Sequence, residues 1–326
     1  MPKVSVVTGY YNRVHLLERT IESILSQTFF DFELIVFDDN STDGTQERLR
    51  QLSDEYKDPR FRYILHSENK GFVRGLVDAI STSEAEYIAI QGSGDVALTK
   101  RLELQVELMD RQPEVGAVGG WYFNVQEEQG THRLTRPDAN GMTFDDLLHA
   151  NVFSHGEVMI RRSTYDLVGG YRPEFKYAQD RDLWLRISKV AQLATVPEPI
   201  YKRFVQFDGV SYVPSKRISQ ACYSMSAVDL AQMEPSEEAA ALSRMRDNGP
   251  TSIVSVADSR IQSNLERSAI RMILFGSPDD GIELAETAID SQIRRAAVTY
   301  FGKFMRTRVS GVFHPAVRKF AGIQRA

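Results

Sequence analysis

The first half of the chain switches repeatedly between two hydrophobic periods. The runs "KVSVVT", "FELIVFDD", "FRYILHS" and "EYIAIQ" are short, apolar and rich in β-branched or aromatic residues, the pattern of buried strands. Between them lie segments of helical period. "RVHLLERTIESILSQ" repeats apolar residues at Val14, Leu17, Ile21, Ile24 and Leu25. "NSTDGTQERLRQL" opens on good helix N-caps, and "KGFVRGLVDAIST" reads as a third helix. Strictly alternating strands and helices with short connections predict a mostly parallel sheet covered by helices. The alternation continues more loosely. "TKRLELQVELMDRQ" is a helix, "VGAVGGWYFNV" a strand, and residues 126–145 are polar and loop-like. "EVMIRRSTYDLVGGYRPEF" combines a strand, a short helix and a Gly-Gly turn. "AQDRDLWLRISKVA" is a helix with Leu183, Trp184 and Ile187 on one side, and "LATVPEPIYKRFV" returns to strand.

From about Pro214 only the helical period remains. Ser277 reads as an N-cap with Pro278 at the first helical position. An apolar seam is expected through Ile282, Ala285, Ile289, Ile293, Ala297, Tyr300 and Phe304. The division expected from pattern alone is an α/β body over 1–213 and a helical region over 214–326.

Composition adds little to the fold but something to the surface. Hydrophobic residues make up 42% and charged residues 25% of 326, which suits a globular chain with a substantial core. The single cysteine, Cys222, excludes an intramolecular disulfide and a Cys-rich metal site. The amino terminus lacks the apolar length of a signal peptide, and no run approaches the roughly 18 apolar residues of a spanning helix. A soluble, cytoplasmic chain is therefore expected. Charge is uneven: Ser291 to Ala326 carries eight basic residues and no acidic one, on a body with net charge −13. The interleaved Tyr300, Phe301, Lys303, Phe304, Arg306, Arg308, Phe313, Arg318, Lys319 and Phe320 read equally as a membrane-surface helix and as a face docked on the protein's own acidic body. Nucleic acid is disfavoured as a partner, because an acidic body repels phosphate backbones.

Candidate chemistry gathers where strands end, since α/β proteins bind ligands at the carboxyl edge of the sheet. In "VVTGYYNR" a strand is expected to end at Thr8, with Gly9 allowing close approach of a ligand and Tyr11 offering a ring for stacking. In "VFDDNSTDGT", Asn40 through Asp43 suit helix capping, which leaves Asp39 for ligand contact. In "YIAIQGSGDVALTKRL" a Gly92-Ser93-Gly94-Asp95 turn follows a strand. Such a turn exposes backbone N–H groups that can cradle an anion, with Arg74, Lys100 or Arg101 adding positive charge. Asp180 precedes the helix bearing Leu183 and Trp184; it fits a base projecting into a cleft, and it also fits an N-cap, with Asp182 as its competitor. His155 and Glu157 in "SHGEVMI" are placed on a strand by pattern.

These segments, in this order, resemble the family 2 glycosyltransferases, inverting nucleotide-sugar enzymes of the GT-A fold. The resemblance covers residues 1 to about 213 and includes "NKGFVRG", which matches the family's Asn-x-Gly helix start. It implies a Rossmann-like, mostly parallel sheet flanked by helices, with a helical C-terminal extension outside the match. It implies that Thr8, Tyr11 and Asp39 hold the nucleoside. Asp95 falls at the last position of the family's Asp-x-Asp-Asp turn, and Asp180 on its catalytic base. His155, Glu157 and Trp184 fall on the sugar and acceptor side. The metal-binding Asp-x-Asp pair is replaced by Gly92 and Gly94, and Phe204 stands where many relatives carry a histidine. Two options follow for Mg2+ or Mn2+: a site built on Asp95 with phosphates and water, or none. The implied partners are a nucleotide sugar, UDP- or dTDP-linked, and a glycan or lipid-linked acceptor in surface polysaccharide assembly, with membrane contact through the basic tail. The competing reading is a non-catalytic binding protein that has lost its metal site.

Overall fold

The computed structural model describes residues 1–127, 130–205, 213–275, 277–307 and 324–325. Arg308, Phe313, Arg318, Lys319 and Phe320 lie outside them. The chain divides into two compact units, Met1–Val125 with Leu134–Phe204, and Gln126–Arg133 with Val205–Ala326.

In the first unit, strands β1 (Val4–Tyr10), β2 (Phe32–Asp38), β3 (Phe61–Leu65) and β4 (Tyr87–Ile90) are parallel in the order β3-β2-β1-β4. The order reverses direction at β1, which makes its carboxyl end a topological switch point. The two-residue β5 (Val96–Ala97) follows the glycine turn. Beyond β4 the sheet continues through β8 (Met159–Arg161) to β6 (Val115–Gln126), both pairings antiparallel. Strand β7 (Thr131–Thr135) is shared between the units. The long β9 (Gln192–Phe204) pairs parallel with β6 and antiparallel with β5. Helices α1 (Leu17–Leu25), α2 (Thr45–Tyr56), α3 (Phe72–Ser81) and α4 (Arg101–Arg111) connect the strands, followed by α5 (Phe144–His149), α6 (Arg162–Leu167) and α7 (Gln179–Ile187).

The apolar runs explain the burial. All seven residues of β1 and all four of β4 are buried, as expected for parallel strands covered on both faces. Helix α1 buries Leu17, Ile21 and Ile24 against them, each contributing about 1.5–3 kcal/mol. Two local expectations are corrected. Strand β1 runs on to Tyr10, so Gly9 is inside it, and a Cβ at Gly9 would overlap the Phe37 ring. Gly9 therefore serves packing between β1 and β2 rather than ligand approach. His155–Glu157 form a 3-10 turn rather than a strand, closed by a capping box from Ser154.

In the second unit, α8 (Pro214–Leu230), α9 (Pro235–Asn248), α10 (Ser259–Phe275), α11 (Pro278–Ala288) and α12 (Gln292–Met305) form a helical assembly, and β10 (Gln324–Arg325) pairs with the start of β7. Ser277 and Pro278 open α11 as expected. The single long seam is not observed. Ile282, Ala285 and Ile289 are buried, but the helix ends there and Ser291 caps a new one. The break resets the helical phase. Val298, Gly302 and Met305 face inward, while Ile293 is 84%, Tyr300 73% and Phe304 43% exposed, with Ala297 also exposed. No helix among the described residues is long and apolar enough to cross a membrane.

Candidate active site

Parallel pairing of Tyr10 with Asp38 brings Tyr11 and Asp39 to one edge of the sheet. Tyr11 is 50% exposed. Thr8 is inside β1, buried, with its hydroxyl unpartnered, so the exposed surface here belongs to Tyr11. The loops are locked together: the Asn12 amide donates to Ser41 Oγ, and the Thr42 amide to Asn12 Oδ1. The carboxylate of Asp39 is buried and accepts from the amides of Lys70 (2.9 Å) and Gly71 (2.8 Å), with His66 Nδ1 at 3.0 Å. Asp39 thus fixes the entry to α3, and Oδ2, with a single donor, keeps a lone pair for a further one. Arg74 is exposed in the first turn of α3.

The glycine turn is more constrained than its sequence suggests. Asp95 Oδ2 accepts from Tyr201 Oη (2.9 Å) and Oδ1 from the Phe204 amide (2.8 Å). Burial raises the Asp95 pKa against these two donors. A Cβ at Gly92 would overlap Asp95 Oδ2, and one at Gly94, where φ is +88°, would press on Leu16. The glycines are thus what lets Asp95 fold back onto β9. Three of the four amides that the expected anion nest would use are spent internally. The Gly92 amide donates to Tyr201 Oη, Gly94 to Thr20 Oγ1 and Asp95 to the Gly92 carbonyl. The expected role of Arg101 also fails. Its guanidinium is fully buried and donates to Gln91 Oε1 and the Ile90 carbonyl, holding β4 rather than facing a ligand. Lys100 is exposed.

This donor set offers a divalent cation little. Asp95 is the only carboxylate of the turn, each of its oxygens already accepts one hydrogen bond, the neighbouring glycines offer no side chain, and the described residues include no group of three or more His, Cys, Asp or Glu suited to a metal.

The two aspartates at the start of α7 have separate fates. Asp182 is buried between Arg186 (2.5 Å) and Arg172 (3.2 Å). Asp180 is half-buried and accepts from Asn151 Nδ2 at 3.0 Å. It follows Ala178, a non-glycine residue at φ +56°, a conformation costing about 1–3 kcal/mol that aims the first turn of the helix. His155 joins the two sides. Its Nε2 lies 2.7 Å from Tyr171 Oη, and its ring meets Phe72 edge-on at the start of α3. Burial lowers the His155 pKa, and the negative charge of Asp180 partly opposes that. Next to it, Gly156 packs so closely on Tyr201 Oη and the Gly92 amide that no side chain fits there.

Two expected sugar contacts are corrected. Trp184 is 1% exposed and packs edge-to-face on Phe153, because α7 is buried on every side from Arg181 to Ile187. Glu157 is fully buried, with Oε1 accepting from the Ser154 amide and Oε2 unpartnered. Burial pushes its pKa up to about 8. Both are interior residues. Sequence reasoning missed Asn151, Tyr171 and Tyr201, which hold the side chains around Asp180, His155 and the turn. Tyr201 and Arg203 share one face of β9 by period-two alternation, which was readable only once β9 was known to lie beside the turn.

A parallel sheet with a switch-point edge, continued by antiparallel strands and flanked by helices, is an α/β architecture of the GT-A type. In fold the chain is similar to a mannosyltransferase from Pyrobaculum calidifontis, solved with GDP-Man and Mn2+, at TM-score 0.58 and 17% identity over 98% of this chain and 87% of that one. Residues 5–169 match the model of glycosyl transferase family 2, and the chain belongs to that family. It is 36% identical over 189 residues to the putative glycosyltransferase EpsE of Bacillus subtilis, covering 57% of this chain and 66% of that one. It is 25% identical over 193 residues to WfgD of Escherichia coli, a UDP-Glc:alpha-D-GlcNAc-diphosphoundecaprenol beta-1,3-glucosyltransferase, covering 59% of this chain and 72% of that one. The match to EpsE thus spans just under two thirds of that relative's length.

Proposed function

We propose that the chain is an inverting glycosyltransferase that moves a sugar from a nucleoside diphosphate donor, UDP- or dTDP-linked, to a lipid-linked saccharide in surface polysaccharide or glycoconjugate assembly. In this reading Tyr11 stacks on the base and Asp39 Oδ2 accepts a hydrogen bond from it. Asp180 takes the proton of the acceptor hydroxyl as its oxygen attacks the anomeric carbon. The bond from that carbon to the diphosphate oxygen breaks with inversion, and the nucleoside diphosphate leaves. His155, held by Tyr171 and Phe72, borders the reacting sugar. Membership of family 2 and the similarity to WfgD, a UDP-Glc transferase acting on a diphosphoundecaprenol-linked sugar, support the donor and acceptor classes.

The observation that carries the reading is the division of labour at α7. Asp182 is committed to two arginines, whereas Asp180 carries one neutral hydrogen bond and keeps acceptor capacity. The test is turnover on UDP-sugars with a lipid-linked saccharide extract, for wild type and Asp180→Asn. General-base catalysis is worth about 10²–10⁴-fold, so the variant should lose that much rate while binding UDP as wild type does. Equal rates would remove Asp180 from the mechanism. The loss of the Asp-x-Asp carboxylates favours the alternative, a non-catalytic nucleotide-sugar binder, and that alternative predicts UDP binding with no turnover by wild type on any donor.

The exposed stripe of α12 supports a peripheral membrane contact. Ile293, Ala297, Tyr300 and Phe304 recur at helical spacing beside Arg295 and Lys303, the pattern of a helix lying in an anionic interface. Arg294 and Arg306 pair with Glu266 and Asp279 of the same unit.

A further inference from the structure

A nucleoside diphosphate brings two to three negative charges to the glycine turn, where one already hydrogen-bonded carboxylate and a backbone with three of its four amides spent offer little to meet them. Two guanidinium groups lie near it. Arg13 follows the Tyr11–Asn12 loop, which the links to Ser41 and Thr42 hold in place. From there its side chain reaches the turn and donates from Nη1 to Ser93 Oγ at 3.3 Å. That bond is to a neutral hydroxyl, and no carboxylate pairs with Arg13 among the described residues. Arg203 approaches from the other side. It leaves β9 on the face that carries Tyr201, whose hydroxyl bridges the Gly92 amide and Asp95. The Arg203 guanidinium lies over the Tyr122 ring at 5.6 Å, and its charge acts on both Asp95 and Glu157. It makes no hydrogen bond and no ion pair among the described residues. A half-buried arginine with all its donors unspent, beside a turn at a sheet switch point, is poised for an anion. A third guanidinium, Arg19, stacks on the Phe204 ring at 3.9 Å near the same turn.

We infer that Arg13 and Arg203 clamp the donor diphosphate across the Gly92–Asp95 turn and take over the charge neutralisation that a divalent cation supplies elsewhere. The inference rests on the proposed reading of this edge as the donor site. It accounts for the glycines and for Asp95 together. With Asp95 tied to Tyr201 and Phe204, the turn presents no free carboxylate to repel phosphate. Guanidinium groups form bidentate bonds with phosphate oxygens, and they need no coordination shell.

Calorimetry with UDP, GDP and dTDP, each in chelator and again in Mn2+, tests this on the full chain. The expected result is binding of one of these nucleotides with the same Kd, within twofold, in both conditions. Arg13→Gln and Arg203→Gln should each weaken that nucleoside diphosphate about 10- to 100-fold, the scale of a lost charge-assisted contact, while leaving the affinity for the bare nucleoside unchanged. Arg203 makes no hydrogen bond or ion pair that holds the fold, only a ring contact with Tyr122, and thermal unfolding of both variants should stay close to wild type. Binding that disappears in chelator and returns with Mn2+ would overturn the inference while leaving the donor site intact. Wild-type affinity in both arginine variants would also overturn it. No binding of any of the three nucleotides in either condition would overturn the donor-site reading itself, and the clamp with it.

Discussion

At the scale of single residues, the neighbouring carboxylates of α7 give the sharpest contrast. Asp182→Asn leaves Arg186 and Arg172 without their buried partner. Breaking such a pair from one side costs about 3–5 kcal/mol, so denaturant unfolding should show a large loss of stability. Asp180→Asn should unfold like wild type, since its loss is of a base and not of a support. Glu157 gives a pH dependence. Its folded pKa of about 8 lies above its ordinary value of 4.5, so the folded state holds a proton that the unfolded state has released across that window. The stabilisation from this group is therefore complete below about pH 4.5 and lost as pH rises towards 8, a change of a few kcal/mol at most. Glu157→Gln should flatten that part of the stability profile, as read from melting temperature between pH 5 and 8. An unchanged slope would mean that Glu157 is ionised in the folded protein. The sequence named Asp39, Asp95 and Asp180 as distinctive but held no sign of what each is bonded to. Asp95 and Asp39 turned out to spend acceptor capacity on backbone amides, a histidine and a tyrosine, contacts separated by 27 to 109 positions.

At the scale of elements, the legible features were those with a strong local period. The four parallel strands and the helices between them follow directly from apolar spacing. The 3-10 turn at His155–Glu157 did not, because "SHGEVMI" alternates like a strand while its geometry is set by Ser154 capping and by the fit of Gly156 against Tyr201. The break between α11 and α12 was hidden for a similar reason: apolar residues continue at helical spacing through Ile289 and Ile293 although the helix does not. The glycine turn also owes its form to a distant element. Gly92→Ala would force its Cβ against Asp95 Oδ2 and within 2.9 Å of Tyr201 Oη. Overpacking of this kind costs about 1–3 kcal/mol, so a lower melting temperature is expected. Adding a carboxylate by Gly92→Asp should carry the same cost and gain no metal-dependent binding, because Asp95 already occupies the space.

At the scale of the whole molecule, the two units carry different chemistry. The first holds every residue assigned to the donor and acceptor. The second presents the exposed apolar stripe of α12. Ile293→Ser with Tyr300→Ser should reduce co-sedimentation with anionic phospholipid vesicles severalfold, with little change with zwitterionic ones. Stability should be nearly unaffected, as both side chains are already exposed. Unaltered co-sedimentation would assign the stripe to another partner. The sequence pattern changes near residue 213, whereas contacts divide the chain at 204–205 and assign Gln126–Arg133 to the second unit. No local signal marks those eight residues, because their membership depends on what they pack against.

The central claim, that the carboxyl edge of β1, β2 and β4 binds the donor opposite Asp180, is tested most directly by a crystal structure of the protein grown with UDP in chelator. The account predicts density for the base against Tyr11 within hydrogen-bond reach of Asp39 Oδ2, and for the diphosphate between Arg13 and Arg203 over the Gly92–Asp95 turn. It predicts open space between the diphosphate and Asp180 wide enough for a sugar ring. UDP bound at another surface, or at this edge with its phosphates directed away from both arginines, would contradict it.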